Sequence, residues 1–171
     1  MMQGLLISFS RRKHRTRAFT LVEVMVVVVI IGLLMAMSLP TYRHITMRSK
    51  TTALVNDLRA FSTALVTYNL QSGHWPADSG PQQVPPEVAD ALPAGFAQKT
   101  PIGGVYKWNY DVSADGVTAK AAIIIETSGS EVMTDDVDLL EMIDKEMDDG
   151  DLATGSVLLG STNTLVYIIE K

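Results

Sequence analysis

Two sets of carboxylates are the residues whose placement could do chemistry. The first is a single group, Glu23, the only charged side chain in the apolar run from Phe19 to Leu39. A carboxylate there loses its hydration and must protonate, reach back to the interface or find a cationic partner. The second set is crowded: from Glu131 to Asp151 there are ten acids and one base, Lys145. Glu146, Asp148, Asp149 and Asp151 gather where an acidic helix is expected to end, so they oppose its dipole and repel one another. Asp148-Asp149-Gly150-Asp151 offers hard oxygen donors at a turn, and a bound cation would relieve the repulsion. The spacing is not that of an EF-hand loop, which alternates its ligands and ends on a bidentate Glu. A solvated acidic face, with Gly150 closing the helix in a left-handed conformation, accounts for the same residues.

Enzymatic chemistry has less support. The chain has no Cys, no Gly-x-Ser-x-Gly, no His-Glu-x-x-His and no phosphate-binding Gly loop. His74 lacks nearby metal-ligating or nucleophilic company and reads as a surface or core group; Trp75 beside it reads as a plug over a helix end.

The element that positions Glu23 is the apolar run. At about 1.5 Å per residue, a helix of this length spans roughly 30 Å, the hydrocarbon thickness of a bilayer. Arg11, Arg12, Lys13, Arg15 and Arg17 precede it with no acid among them, whereas Arg43, Arg48 and Lys50 follow. The heavier positive side stays in the cytoplasm, which places the C-terminal part across the membrane. A cleaved secretory signal could use Ala36-Met37-Ser38 as its site, but its core is shorter and carries no acid. A plain signal anchor fits length and charge and leaves Glu23 and Pro40 unexplained.

Ala18-Phe19-Thr20-Leu21-Val22-Glu23-Val24, followed by Pro40, resembles the N-terminus of type IV prepilins and of the pseudopilins of type II secretion systems, the major G-type pseudopilin most. The resemblance covers about the first quarter of the chain. It implies that a prepilin peptidase cuts between Ala18 and Phe19 on the cytoplasmic side and methylates the new amino terminus. The family normally has Gly before the cut, and this chain has Ala18. Glu23 falls on the family's helix acid, implied to pair with the Phe19 amine of a neighbouring subunit, and Pro40 on its helix proline, where a kink is expected. Implied partners are copies of the chain, other pseudopilins, the peptidase and an inner-membrane assembly platform. The resemblance also implies Ca2+ in a C-terminal loop, with Asp148, Asp149 and Asp151 as candidate ligands.

Removing residues 1–18 leaves nine basic against 19 acidic residues, a formal charge of −10, which opposes nucleic-acid binding. Arg43, Arg48, Lys50 and Arg59 lie beside the membrane, suited to anionic headgroups or neighbouring acids. With no Cys, an exported domain is held by its core, a metal or its neighbours. Many major pilins close a C-terminal loop with a disulfide, so this absence leans towards a pseudopilin.

Beyond Pro40, Leu54, Leu58, Phe61, Leu65 and Tyr68 make one apolar helix face. Gly73 follows as a left-handed cap and Pro76 soon after. Pro85-Pro86-Glu87 starts a short helix through Ala91. Residues 105–112 and 117–126 read as a hairpin turning at Ala114-Asp115-Gly116, and 156–159 and 164–169 as a second pair. Between them Thr134 caps a helix burying Val137, Leu140, Ile143 and Met147. The expected fold is therefore α+β and pilin-like: a long N-terminal helix, half membrane and half amphipathic, packed on an antiparallel sheet of about four strands, with an acidic helix between hairpins. The expected organisation is a leader at 1–18, a membrane half at 19–39, an amphipathic half at 40–70 and a head at 71–171.

Three functions are open at this point. One is a structural pseudopilus subunit in the bacterial inner membrane, cytoplasmic at its N-terminus and periplasmic at its head, drawn into a filament that drives export. The second is a type IV or minor pilin for adhesion or motility, and the third a signal-anchored periplasmic binding module.

Overall fold

The computed structural model describes residues 19–114 and 116–171; the leader with Ala18, and Asp115 of the expected turn, lie outside the described residues. The chain divides into two compact units, residues 1–41 and 42–171.

Helix α1 spans Leu21–Ser72 and runs on through Pro40. Its part in the first unit buries nothing: Val22, Ile31, Leu34 and Met37 are all exposed. A helix apolar on every side is stable only where its surroundings are apolar. Among the described residues α1 is the one helix long and apolar enough to cross a membrane. Ser38 satisfies its hydroxyl inside the helix by donating to the Leu34 carbonyl at 2.9 Å.

In the second unit α1 becomes amphipathic. Leu54, Leu58, Phe61 and Leu65 are buried as their spacing requires, Tyr68 is half-buried, and Thr51 and Val55 widen the buried face. The helix ends at Gly73, whose φ of 78° suits glycine and whose N–H reaches the Asn69 carbonyl at 2.8 Å. Phe61 is the centre of an aromatic cluster, edge-on to Phe96 at 5.2 Å and to Tyr106 at 5.0 Å.

Strands β1 (Val105–Ala114), β2 (Val117–Glu126), β3 (Val157–Gly160) and β4 (Thr164–Glu170) form one antiparallel sheet in the order β1-β2-β4-β3. The two expected hairpins are present, and β2 pairing with β4 joins them. Tyr106, Trp108, Ile123, Ile125, Val157 and Leu165 meet the buried face of α1 in a single core. The fold is thus the expected α+β arrangement of a long N-terminal helix on a four-stranded sheet.

Helix α2 (Val137–Met147) lies between β2 and β3 in the chain. Its buried residues are Leu139, Leu140, Ile143 and Asp144, while Val137 is exposed and Met147 only partly buried. This corrects the expected stripe: the helix is turned so that Leu139 and Asp144 face inward. The cap also differs. Asp136 holds the N-cap position without a side-chain cap bond, and the Thr134 hydroxyl accepts from the Asp136 N–H at 3.2 Å, one step further out. The expected helix through Ala91 is a single 3-10 turn, Pro86–Val88, and a second, Ala94–Ala97, inserts Phe96 into the core.

Candidate functional site

At the N-terminal end, Thr20 caps α1. Its Oγ1 accepts from the Glu23 N–H at 3.2 Å, and its carbonyl accepts from the N–H groups of Glu23 and Val24 at 3.1 and 3.3 Å. Thr20-x-x-Glu23 has capping-box spacing, so the sequence itself carries the signal for this cap. Glu23 therefore lies in the first turn, where the helix dipole favours an anion. Among the described residues its exposed carboxylate has no ion-pair or hydrogen-bond partner. Phe19 precedes the helix and is exposed. Ala18 lies outside the described residues, and Pro40 sits inside α1.

The basic residues of α1 after Pro40 meet α2 at both ends. Arg43 Nη2 lies 3.3 Å from Asp136 Oδ2 at the start of α2, and Arg59 Nη2 donates to the Glu146 carbonyl at 3.3 Å in its last turn. A guanidinium at the C-terminal carbonyls matches the dipole that the acids there oppose.

The acids at the end of α2 form a second constellation. Asp144, Asp148 and Asp149 each bring a carboxylate oxygen within 4.8 Å of the others. Asp148 and Asp149 were candidates from sequence; Asp144 was not, and Asp151 stands outside the group. Asp151 instead gives its N–H to Asp149 Oδ1 at 3.0 Å and accepts from the Ala153 N–H at 3.0 Å. Thr154 donates to Asp149 Oδ2 at 2.9 Å, and the Ser156 N–H donates to Asp148 Oδ2. Gly155 passes so close that a Cβ there would run into Asp148 Oδ2.

Asp144 is the unusual member. It is 0% exposed, and neither carboxyl oxygen has a partner of hydrogen-bond geometry. Burial, followed by the charges of Asp149 and Asp148, raises its pKa above the usual carboxylate range; the Gly150 N–H, outside hydrogen-bond geometry, opposes the shift. Asp149 is displaced downward, first by the Asp151 N–H and then by the Thr154 hydroxyl. The signal for Asp144 was available: it falls four residues after Leu140 and three before Met147, on the buried face.

His74 is exposed, with Nδ1 3.1 Å from the Trp75 carbonyl and its ring edge-on to Tyr68 at 5.6 Å. Trp75 packs on Trp108 at 5.4 Å and donates its indole N–H to Glu170 at 2.8 Å. Both are engaged in local structure.

Residues 13–39 match the family model described as the prokaryotic N-terminal methylation motif. Over 118 residues the chain is 30% identical to a fimbrial protein of Pseudomonas aeruginosa, covering 68% of this chain and 73% of that one. It is 31% identical over 106 residues to a fimbrial protein of Neisseria meningitidis serogroup A, covering 62% and 55% respectively. It is also 31% identical over 103 residues to the type IV major pilin protein PilE of Neisseria gonorrhoeae, covering 60% and 54%. The chain spans about half the length of these Neisseria relatives.

Proposed function

Because the chain belongs to the type IV prepilin-like family, we propose that it is a structural filament subunit, cut between Ala18 and Phe19, N-methylated and assembled through the apolar half of α1. The observation that carries this reading is Glu23: one carboxylate, without a partner among the described residues, in an otherwise uncharged run. The amine freed at Phe19 is a cation beside a helix end. Paired with Glu23 of an adjoining copy in a low-dielectric bundle, it offsets part of the cost of burying either charge and selects the register of the two helices. Pro40 removes one backbone hydrogen bond where α1 would leave the bilayer and supplies a kink there. The basic leader stays cytoplasmic and the head projects into the periplasm. The inner-membrane platform and the peptidase act on the N-terminal segment, and the part of the chain from Tyr42 onward has a structural role rather than an enzymatic one.

Within this family we favour a type II secretion pseudopilus subunit driving protein export. Its support is the lack of any Cys, so the head closes no disulfide loop. A surface pilin for adhesion or motility is the second reading, favoured by the names of the fimbrial relatives. Deleting the gene distinguishes them: loss of exported proteins from the medium with surface fibres intact supports the pseudopilus, and loss of fibres with export intact supports the pilin. A signal-anchored binding module, the third reading, predicts that Glu23→Ala changes neither assembly nor export.

A further inference from the structure

We propose that the cleft between α1 and α2 binds the phosphate of an anionic phospholipid headgroup through Arg48, Lys145 and His44. Two contacts hold α2 alongside α1: Arg43 reaches Asp136 at its start, and Arg59 reaches the Glu146 carbonyl in its last turn. Between these two contacts along α1 opens a cleft of about 530 Å3. His44, Arg48 and Thr52 line it from α1, and Met142, Lys145 and Glu146 from α2. The three α1 residues are spaced by four and so share one helix face. The whole cleft lies in the second unit, from Tyr42 onward.

The cations of this cleft are left without partners. Arg43 and Arg59 are engaged with α2, whereas Arg48 and Lys145 have no ion pair or side-chain hydrogen bond among the described residues. Lys145 stays unpaired although it is the one base among the ten acids from Glu131 to Asp151. An arginine fork, a lysine point charge and an imidazole N–H are the donors that a phosphate group takes. Thr52 adds a hydroxyl, and Met142 gives an apolar wall for the carbons next to the phosphate. Glu146 is the one acid lining the cleft and opposes an anion there.

The position along the chain favours a lipid as the source. Arg48 follows Pro40 by eight residues in the unbroken helix α1, about 12 Å of helix. The headgroup layer extends roughly 5 to 8 Å beyond the hydrocarbon, and a helical side chain leans back towards the N-terminal end, so a long Arg reaches that layer. Residues 19–171 carry a formal charge of −10, which an anionic surface repels as a whole. Attraction to such a surface must then be local, from paired cations within a Debye length of it. A bound headgroup gives the chain a second tether to the bilayer besides the apolar half of α1. The site needs one chain beside a bilayer and does not depend on cleavage or filament assembly.

The test uses the full chain in a neutral detergent, titrated with phosphatidylglycerol or with phosphatidylcholine, the lipid bound per chain being counted by native mass. Phosphatidylglycerol should bind saturably and more tightly than phosphatidylcholine. Arg48→Gln and Lys145→Gln should each weaken it about fivefold, the effect of losing one base near a headgroup. Both side chains are exposed, so neither substitution disturbs the core. Glu146→Gln should strengthen binding. Lys50→Gln, an equal loss of charge outside the cleft, should leave it unchanged. Equal binding of the two lipids would overturn the site, and so would a loss in Lys50→Gln as large as in Arg48→Gln, which is the mark of a diffuse positive field. Displacement of phosphatidylglycerol by inorganic phosphate at matched concentration would overturn the assignment to a lipid.

Discussion

The Tyr106 hydroxyl donates to Asp57 Oδ2 at 2.9 Å, a polar contact between β1 and α1 at the edge of an otherwise apolar core. Burial first, then the Asp57 charge and the hydrogen bond to it, raise the Tyr106 pKa far above its ordinary value of 10.0. A phenol whose pKa is raised by folding contributes stability that is whole below pH 10 and is lost as pH rises through that value, where the unfolded chain ionises and the folded one does not. Denaturant unfolding should therefore show wild-type stability falling above about pH 10. Tyr106→Phe should flatten that limb and cost about 1.5 to 3 kcal/mol at neutral pH. Parallel alkaline limbs in the two proteins would contradict this assignment.

Phe61 fills the space between α1, Phe96 and Tyr106. Phe61→Ala is expected to cost about 3 to 5 kcal/mol in chemical denaturation, the range for removing a buried aromatic and leaving a cavity. Arg43→Ala, by contrast, removes an exposed ion pair to Asp136 and should cost less than about 1 kcal/mol. Comparable losses would mean that the ends of α2 depend on charge more than on packing.

Gly155 has φ of 83° and lies against Asp148. Gly155→Ala should destabilise the fold by at least about 1 to 3 kcal/mol, because the new Cβ meets both the backbone penalty and the carboxylate. Urea melts of the two proteins would measure it. A neutral substitution would show that the loop relaxes freely around α2.

In the proposed assembly the Glu23 charge acts between copies, whereas within one chain it is the Glu23 backbone N–H that Thr20 caps. Glu23→Gln retains the side chain that suits a capping box and removes the charge. Filament yield from cells should fall with Glu23→Gln as far as with Glu23→Ala, with both proteins still membrane-bound. Full assembly of the Gln variant would contradict a role for the Glu23 charge between copies.

What was legible in the sequence follows from which interactions are local. The N-terminal pattern could be read because an acid in an apolar run and a proline at a fixed distance have few physical excuses. The α1 face could be read from its period, and the hairpins from alternation and turn residues. Strand order could not, since β2 pairing with β4 is non-local and no period encodes it. The orientation of α2 was misjudged because apolar spacing assigned Val137 to the core, while the buried position near the C-terminal end belongs to Asp144. Hydrophobic pattern is blind to an acid on a buried face. The N-terminal cap at Thr20 is a local signal as well, a hydroxyl three residues before Glu23 within the same motif.

In the proposed assembly Glu23 is matched by an amine that exists only after the chain is cut before Phe19. Intact mass of the protein isolated from membranes of cells carrying the peptidase measures this directly. The expected product is residues 19–171 bearing one N-terminal methyl group. A product that keeps residues 1–18 would contradict it, because Glu23 would then have no freed amine on a neighbour to meet.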